Sequence, residues 1–130
     1  MTFIVNREVR WATIVKSKAS QSVYKMYLLN VETGDLETYY GSETPPYAVL
    51  SHTWLGGEDE ITFQDITDRE TGRSNINKPH LEYKKGYFKV LQTCRQARKD
   101  GFKFVWIDTF CIDKSSSAEL SEAINSMYRW

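Results

Sequence analysis

Phe102-Lys103-Phe104-Val105-Trp106-Ile107-Asp108-Thr109-Phe110-Cys111-Ile112-Asp113-Lys114-Ser115-Ser116-Ser117-Ala118-Glu119-Leu120 is the stretch whose reading decides the fold. Phe102 to Ile107 is apolar on both faces of an extended chain, as a central parallel strand requires. It runs directly into acids, a thiol and hydroxyls. A helix is then expected from about Ser116, with Leu120, Ala123, Ile124, Met127 and Tyr128 along one stripe. Strand, polar loop and helix in that order place the polar cluster at the carboxyl end of a strand, where open α/β sheets bind ligands.

Working outward, Tyr87, Val90, Leu91, Cys94 and Ala97 recur at helical spacing between Tyr83 and Asp100. Arg98 and Lys99 suit the negative end of that helix's dipole, and Gly101 suits the position just past its end. Lys84, Lys85, Lys89, Arg95, Arg98, Lys99 and Lys103 read as its solvated face, with no nucleic-acid motif beside them. A second run apolar on both faces, Tyr47 to Leu50, follows Pro45-Pro46 and exits into Ser51-His52-Thr53-Trp54. From Gly56 to about Pro79 a long, partly ordered connection is expected around Ile61-Thr62-Phe63. Two β-prone runs, Tyr24–Val31 and Leu36–Tyr40, flank the turn Glu32-Thr33-Gly34-Asp35 and predict a hairpin. Residues 1–25 show no sustained period and read as a poorly ordered leader. The fold class expected is α/β, a mainly parallel sheet with flanking helices and an N-terminal β-hairpin.

At 130 residues the chain has room for one domain. Its 17 basic and 17 acidic residues cancel, so no global charge draws it to nucleic acid or an anionic membrane. Two cysteines are too few for a disulfide framework and no secretory apolar core opens the chain, so a reducing cytoplasm is the expected compartment. No apolar run approaches the ~20 residues of a membrane span. Glycine fingerprints for dinucleotides or nucleoside triphosphates are absent, and Gly56-Gly57 is followed by acids that repel phosphate. His52, His80, Cys94 and Cys111 lack the paired short spacing of a zinc site, so no metal is expected.

Glu119 admits two readings. Ser116 and Glu119 have the spacing of a capping box, in which each side chain bonds the other's backbone amide. Alternatively, Glu119 lies about 100° around the helix from Leu120, flanking the buried stripe, where its carboxylate can face a cleft at the strand ends. Asp108 ends the apolar strand directly, while Asp113 has a turn former's neighbours in Lys114-Ser115. Cys111 is either a small buried hydrophobe or a nucleophile, with His52 as the one evident base, and it counts with Asp108 among the candidate ligand-binding residues. Ser51, His52 and Trp54 either cap and pack, or bind a ligand beside Asp108: Trp54 stacking on a planar base, Ser51 and His52 bonding a ribose or phosphate.

Tyr47-Ala48-Val49-Leu50-Ser51-His52-Thr53-Trp54 and Trp106-Ile107-Asp108-Thr109-Phe110-Cys111-Ile112-Asp113, in that order, resemble the heterokaryon-incompatibility (HET) domain of filamentous fungi. The resemblance covers about residues 26–130. In that family a segment like Leu28-Leu29-Asn30 lies close to the protein's start, which marks residues 1–25 as an extension. The family's domain continues with a further apolar strand, so an incomplete domain truncated at Trp130 is expected. HET domains trigger programmed cell death in non-self recognition and have been likened to TIR domains, flavodoxin-like modules of which some cleave NAD with one helical glutamate. Ser117-Ala118-Glu119-Leu120 is similar to that loop-to-helix segment, although Ser117-Ala118 stand where TIR domains usually have Trp-Cys. The resemblance thus implies Glu119 as catalytic residue and NAD as substrate, with no bound cofactor. The alternatives it leaves open are a non-catalytic module that self-associates or binds death-signalling proteins, and an inactive fragment.

Overall fold

The structure is a computed structural model, and it describes residues 10–12, 25–51 and 57–127. Its centre is the pair of strands β4 (Ala48–Ser51) and β5 (Phe104–Trp106), which run parallel with Ala48 opposite Val105 and Val49 opposite Trp106. Tyr47 to Leu50 are at most 7% exposed and Val105 to Ile107 at most 3%, so both apolar runs are buried as their sequence requires. Because the pair is parallel, Ser51 and Asp108 emerge at the same edge of the sheet.

The remaining pairings are antiparallel. The hairpin of β2 (Lys25–Asn30) and β3 (Leu36–Tyr40) has Leu29 opposite Leu36, and its β2 strand docks on β5 with Leu29 opposite Val105. The turn between them is fixed by the Asn30 side chain, whose Oδ1 accepts from the Glu32 and Thr33 amides at 2.9 and 3.2 Å. On the other side β1 (Arg10–Ala12) lies antiparallel on β4, giving the five-stranded order β1-β4-β5-β2-β3. The expectation of a mainly parallel sheet is therefore corrected: among the described residues the sheet is mixed, and parallel only between β4 and β5. Apolarity on both faces reports burial, and burial does not depend on the direction of the neighbouring strand. Within the expected leader, Arg10–Ala12 form a strand of this sheet.

The connection from β4 carries its own order. The Thr62 hydroxyl and Asp65 carboxylate form a reciprocal capping box on the single-turn helix α1 (Phe63–Ile66), and Ile61 and Ile66 are 1% and 0% exposed. The helix expected between Tyr83 and Asp100 is α2 (Lys85–Lys99). Gly101, at φ +84°, turns the chain out of it: the Gly101 amide bonds the Arg98 carbonyl at 3.2 Å and the Phe102 amide the Ala97 carbonyl at 2.8 Å. That double bond pattern is the Schellman motif, and it delivers the chain straight into β5.

The buried face of α2 is rotated from the expected one. Gly86, Lys89, Val90, Thr93, Cys94 and Ala97 face inward, whereas Leu91 is 42% exposed. Reading Lys89 as part of a solvated face is corrected: its ammonium pairs at 2.9 Å with the carboxylate of Glu60, and both residues are buried. Gly86 makes the approach of this segment possible, since a Cβ there would stand 2.7 Å from the Asp59 carbonyl oxygen. The last helix, α3, spans Ser117–Met127.

Candidate functional site

Asp108 opens the turn that follows β5, and the chain folds back at once: the Cys111 amide bonds the Ile107 carbonyl at 2.8 Å. Phe110, Cys111 and Ile112 are 0%, 3% and 5% exposed, so the loop's apolar side chains point into the core. The Cys111 sulfur accepts from the Ile107 amide at 3.3 Å. Burial, and secondarily the nearby Asp108 charge, push the Cys111 thiol far above the ordinary range. Burial likewise pushes Cys94 up to about 11. Cys111 thus stands as a packed thiol that holds the end of β5, with neither the thiolate nor the access that ligand contact or nucleophilic attack needs. Asp113 acts as the turn former its neighbours suggest, its Oδ1 accepting from the Ser115 amide at 3.1 Å and from Gln64 Nε2 at 3.2 Å.

At the start of α3 the capping box closes on one side only. The Ser116 hydroxyl accepts from the Glu119 amide at 3.3 Å, but the Ser116 amide donates to the Asp113 carbonyl at 3.0 Å. The Glu119 carboxylate is therefore not spent on the cap. It reaches across to β2, where Oε1 lies 3.2 Å from Lys25 Nζ, with the Glu119 side chain 16% exposed. That oxygen is sealed from solvent, and its contact with Lys25 is an ion pair.

Strand alternation puts Lys25 and Tyr27 on one face of β2. The Lys25 ammonium is 5.2 Å from the centroid of the Tyr27 ring, and the Tyr27 and Glu119 groups together hold it above the ordinary lysine range. Tyr27 in turn packs on Phe63 of α1 with 5.1 Å between centroids. Gln64, the next residue of α1, contacts Asp113, whose carbonyl holds Ser116. The hairpin, α1 and the head of α3 thus meet around one partly buried carboxylate. Lys25 and Tyr27 were not among the residues singled out from the sequence. Their alternation with Leu29 marks a face, but nothing local marks a partner on a helix at the other end of the chain.

Of the other residues singled out, Ser51 lies at the carboxyl end of β4, while His52 and Trp54 fall outside the described residues. Among the described residues no three His, Cys, Asp or Glu side chains gather as a metal ion would need, and no helix is long and apolar enough to cross a membrane.

A mixed α/β module, with two parallel central strands, a polar loop after the second and a carboxylate presented from the first turn of the next helix, is the class these features define. The family model described as "Heterokaryon incompatibility protein (HET)" matches residues 47–129, and the chain belongs to that family. Glu119 lies within the match; Lys25 and Tyr27 precede it. The chain is also 51% identical over 86 residues to the vegetative incompatibility protein HET-E-1 of Podospora anserina, a match covering 66% of this chain and 6% of that protein. It thus spans a small part of the relative's length. No solved structure matches it.

Proposed function

We propose that the chain is the effector module of a cytoplasmic fungal incompatibility protein, which brings about cell death in non-self recognition by hydrolysing NAD in the manner of TIR domains. The observation that carries this reading is the state of Glu119. A carboxylate in the first turn of α3 is released from its capping duty and held, four-fifths or more shielded, against the Lys25 ammonium that lies over Tyr27. Such a group stabilises the cationic ribosyl centre that develops as the bond to nicotinamide breaks. Water then adds to the ribosyl carbon, giving ADP-ribose and nicotinamide with release of a proton. Asp108 and Ser51, at the shared strand edge, are proposed to bind the ribose with His52, and Trp54 to stack on a base.

A second reading has its own support. Tyr83, Phe88 and Leu91 are 91%, 59% and 42% exposed at the head and outer face of α2, and such a surface suits a non-catalytic module that associates with itself or with death-signalling proteins. The deciding experiment measures nicotinamide release from NAD by the protein and by Glu119→Gln. The catalytic reading expects a fall of about 10²-fold or more with an unchanged melting temperature. Equal release by both proteins, or none by either, would leave the association reading standing.

A further inference from the structure

Beside Glu119 the protein has assembled the chemistry of a cation site and filled it with its own side chain. A carboxylate supplies negative charge, the ring of Tyr27 supplies polarisable surface, and Phe63 packs against that ring with 5.1 Å between centroids. Proteins hold organic cations with this combination. The two ends of the ion pair are not equally fixed. Glu119 Oε1 is sealed, and its side chain is 16% exposed, whereas that of Lys25 is 39% exposed. A long side chain already at the rim can swing into water at little desolvation cost, and the acid cannot follow it.

We infer that Lys25 is a placeholder in a cation-binding site formed by Glu119 and Tyr27, with Phe63 packed against Tyr27, and that a flat organic cation of the N-substituted pyridinium class enters by displacing it. The inference rests on the reading of Glu119 as the substrate-facing carboxylate. A pyridinium ring is favoured over an alkylammonium because its charge is spread over a planar, weakly hydrated face that stacks on a phenol ring. The site also discriminates in a useful direction. Oxidised NAD carries a pyridinium, whereas the nicotinamide that leaves after cleavage is neutral and has no claim on the carboxylate. While Lys25 occupies the site, the apparent affinity for any ligand is reduced by the fraction of molecules in which it has swung out. Tyr27 first, and Glu119 with it, keep the Lys25 ammonium charged across the physiological range, so the placeholder is not lost by deprotonation.

The test titrates the 130-residue chain with N-methylnicotinamidium, followed by calorimetry, in the wild type, Lys25→Met, Lys25→Arg and the double variant Lys25→Met with Glu119→Gln. Lys25→Met is expected to bind about tenfold tighter than wild type, on the scale of a partly exposed ion pair. Lys25→Arg should bind like wild type, and the double variant should lose the gain. Circular dichroism checks folding, and Lys25→Gln replaces Lys25→Met if the latter unfolds. Equal or weaker binding by Lys25→Met, or by Lys25→Gln in its place, or no binding by any protein, overturns the inference. Its failure is separable from that of the enzymatic reading. Cation binding that requires Glu119 while nicotinamide release does not would leave the site and remove the enzyme. Release that requires Glu119, with binding indifferent to Lys25, would do the reverse.

Discussion

Gly86 shows how much a single hydrogen can decide. On an exposed helix, Gly→Ala would add about 1 kcal/mol of stability through helix propensity. Here the added methyl would lie 2.7 Å from the Asp59 carbonyl and 3.3 Å from Glu60 Cα, both backbone atoms that cannot rotate away. Gly86→Ala is therefore expected to destabilise the protein by about 1–3 kcal/mol, as overpacking does elsewhere, measured as a lower urea midpoint with an unchanged slope. Nothing in the sequence marks this glycine as special, because the atoms it accommodates belong to a loop some twenty-five residues away. Glu119 illustrates the opposite case. Its spacing from Ser116 correctly announced a cap, and half of that cap forms. The carboxylate's true partner was hidden because ion pairs between distant segments leave no periodic trace.

Among the elements, those governed by neighbouring residues were legible and those governed by distant ones were not. The hairpin follows from its turn chemistry, and the end of α2 follows from Gly101. The direction of the strands beside β4 and β5 did not follow, and of the expected inward stripe of α2 Val90, Cys94 and Ala97 are buried while Leu91 is not. Lys89 explains the latter difference: a lysine read as solvated is in fact drawn inside by Glu60. This pair gives α2 its rotational setting and ties it to the segment before α1, a tie repeated at the surface by Lys84 and Asp65 at 2.8 Å. Lys89→Met leaves a buried carboxylate without its ammonium and is expected to cost about 3–5 kcal/mol by denaturant unfolding. Adding Glu60→Leu should recover most of that loss. If the single variant proved as stable as the parent, the pair would not be what sets the helix.

At the scale of the whole molecule, charge neutrality conceals strong local pairing, and acid should reveal it. Burial alone would raise the pKa of Asp65, but the Lys84 ammonium and the Thr62 amide outweigh it and hold the carboxyl below its ordinary 3.8. A folded-state pKa below the unfolded value means that the contribution is complete above that range and is lost as pH falls through the folded value. Stability is accordingly expected to decline below about pH 4, and Asp65→Asn should lower stability at neutral pH while flattening the decline. Urea midpoints between about pH 3 and 7 provide the measurement. An unaltered acid slope in Asp65→Asn would assign the loss to other carboxylates.

The strand order carries a consequence in time. β5 joins two antiparallel ribbons, β1 with β4 and β2 with β3, yet of the five described strands it is the last to be synthesised. Until Phe104–Trp106 emerges, the edges of β4 and β2 that it pairs with stay open. The Schellman turn at Gly101 then hands the new strand over from a helix that can already be formed, so that the two ribbons are joined by the insertion of one strand between them.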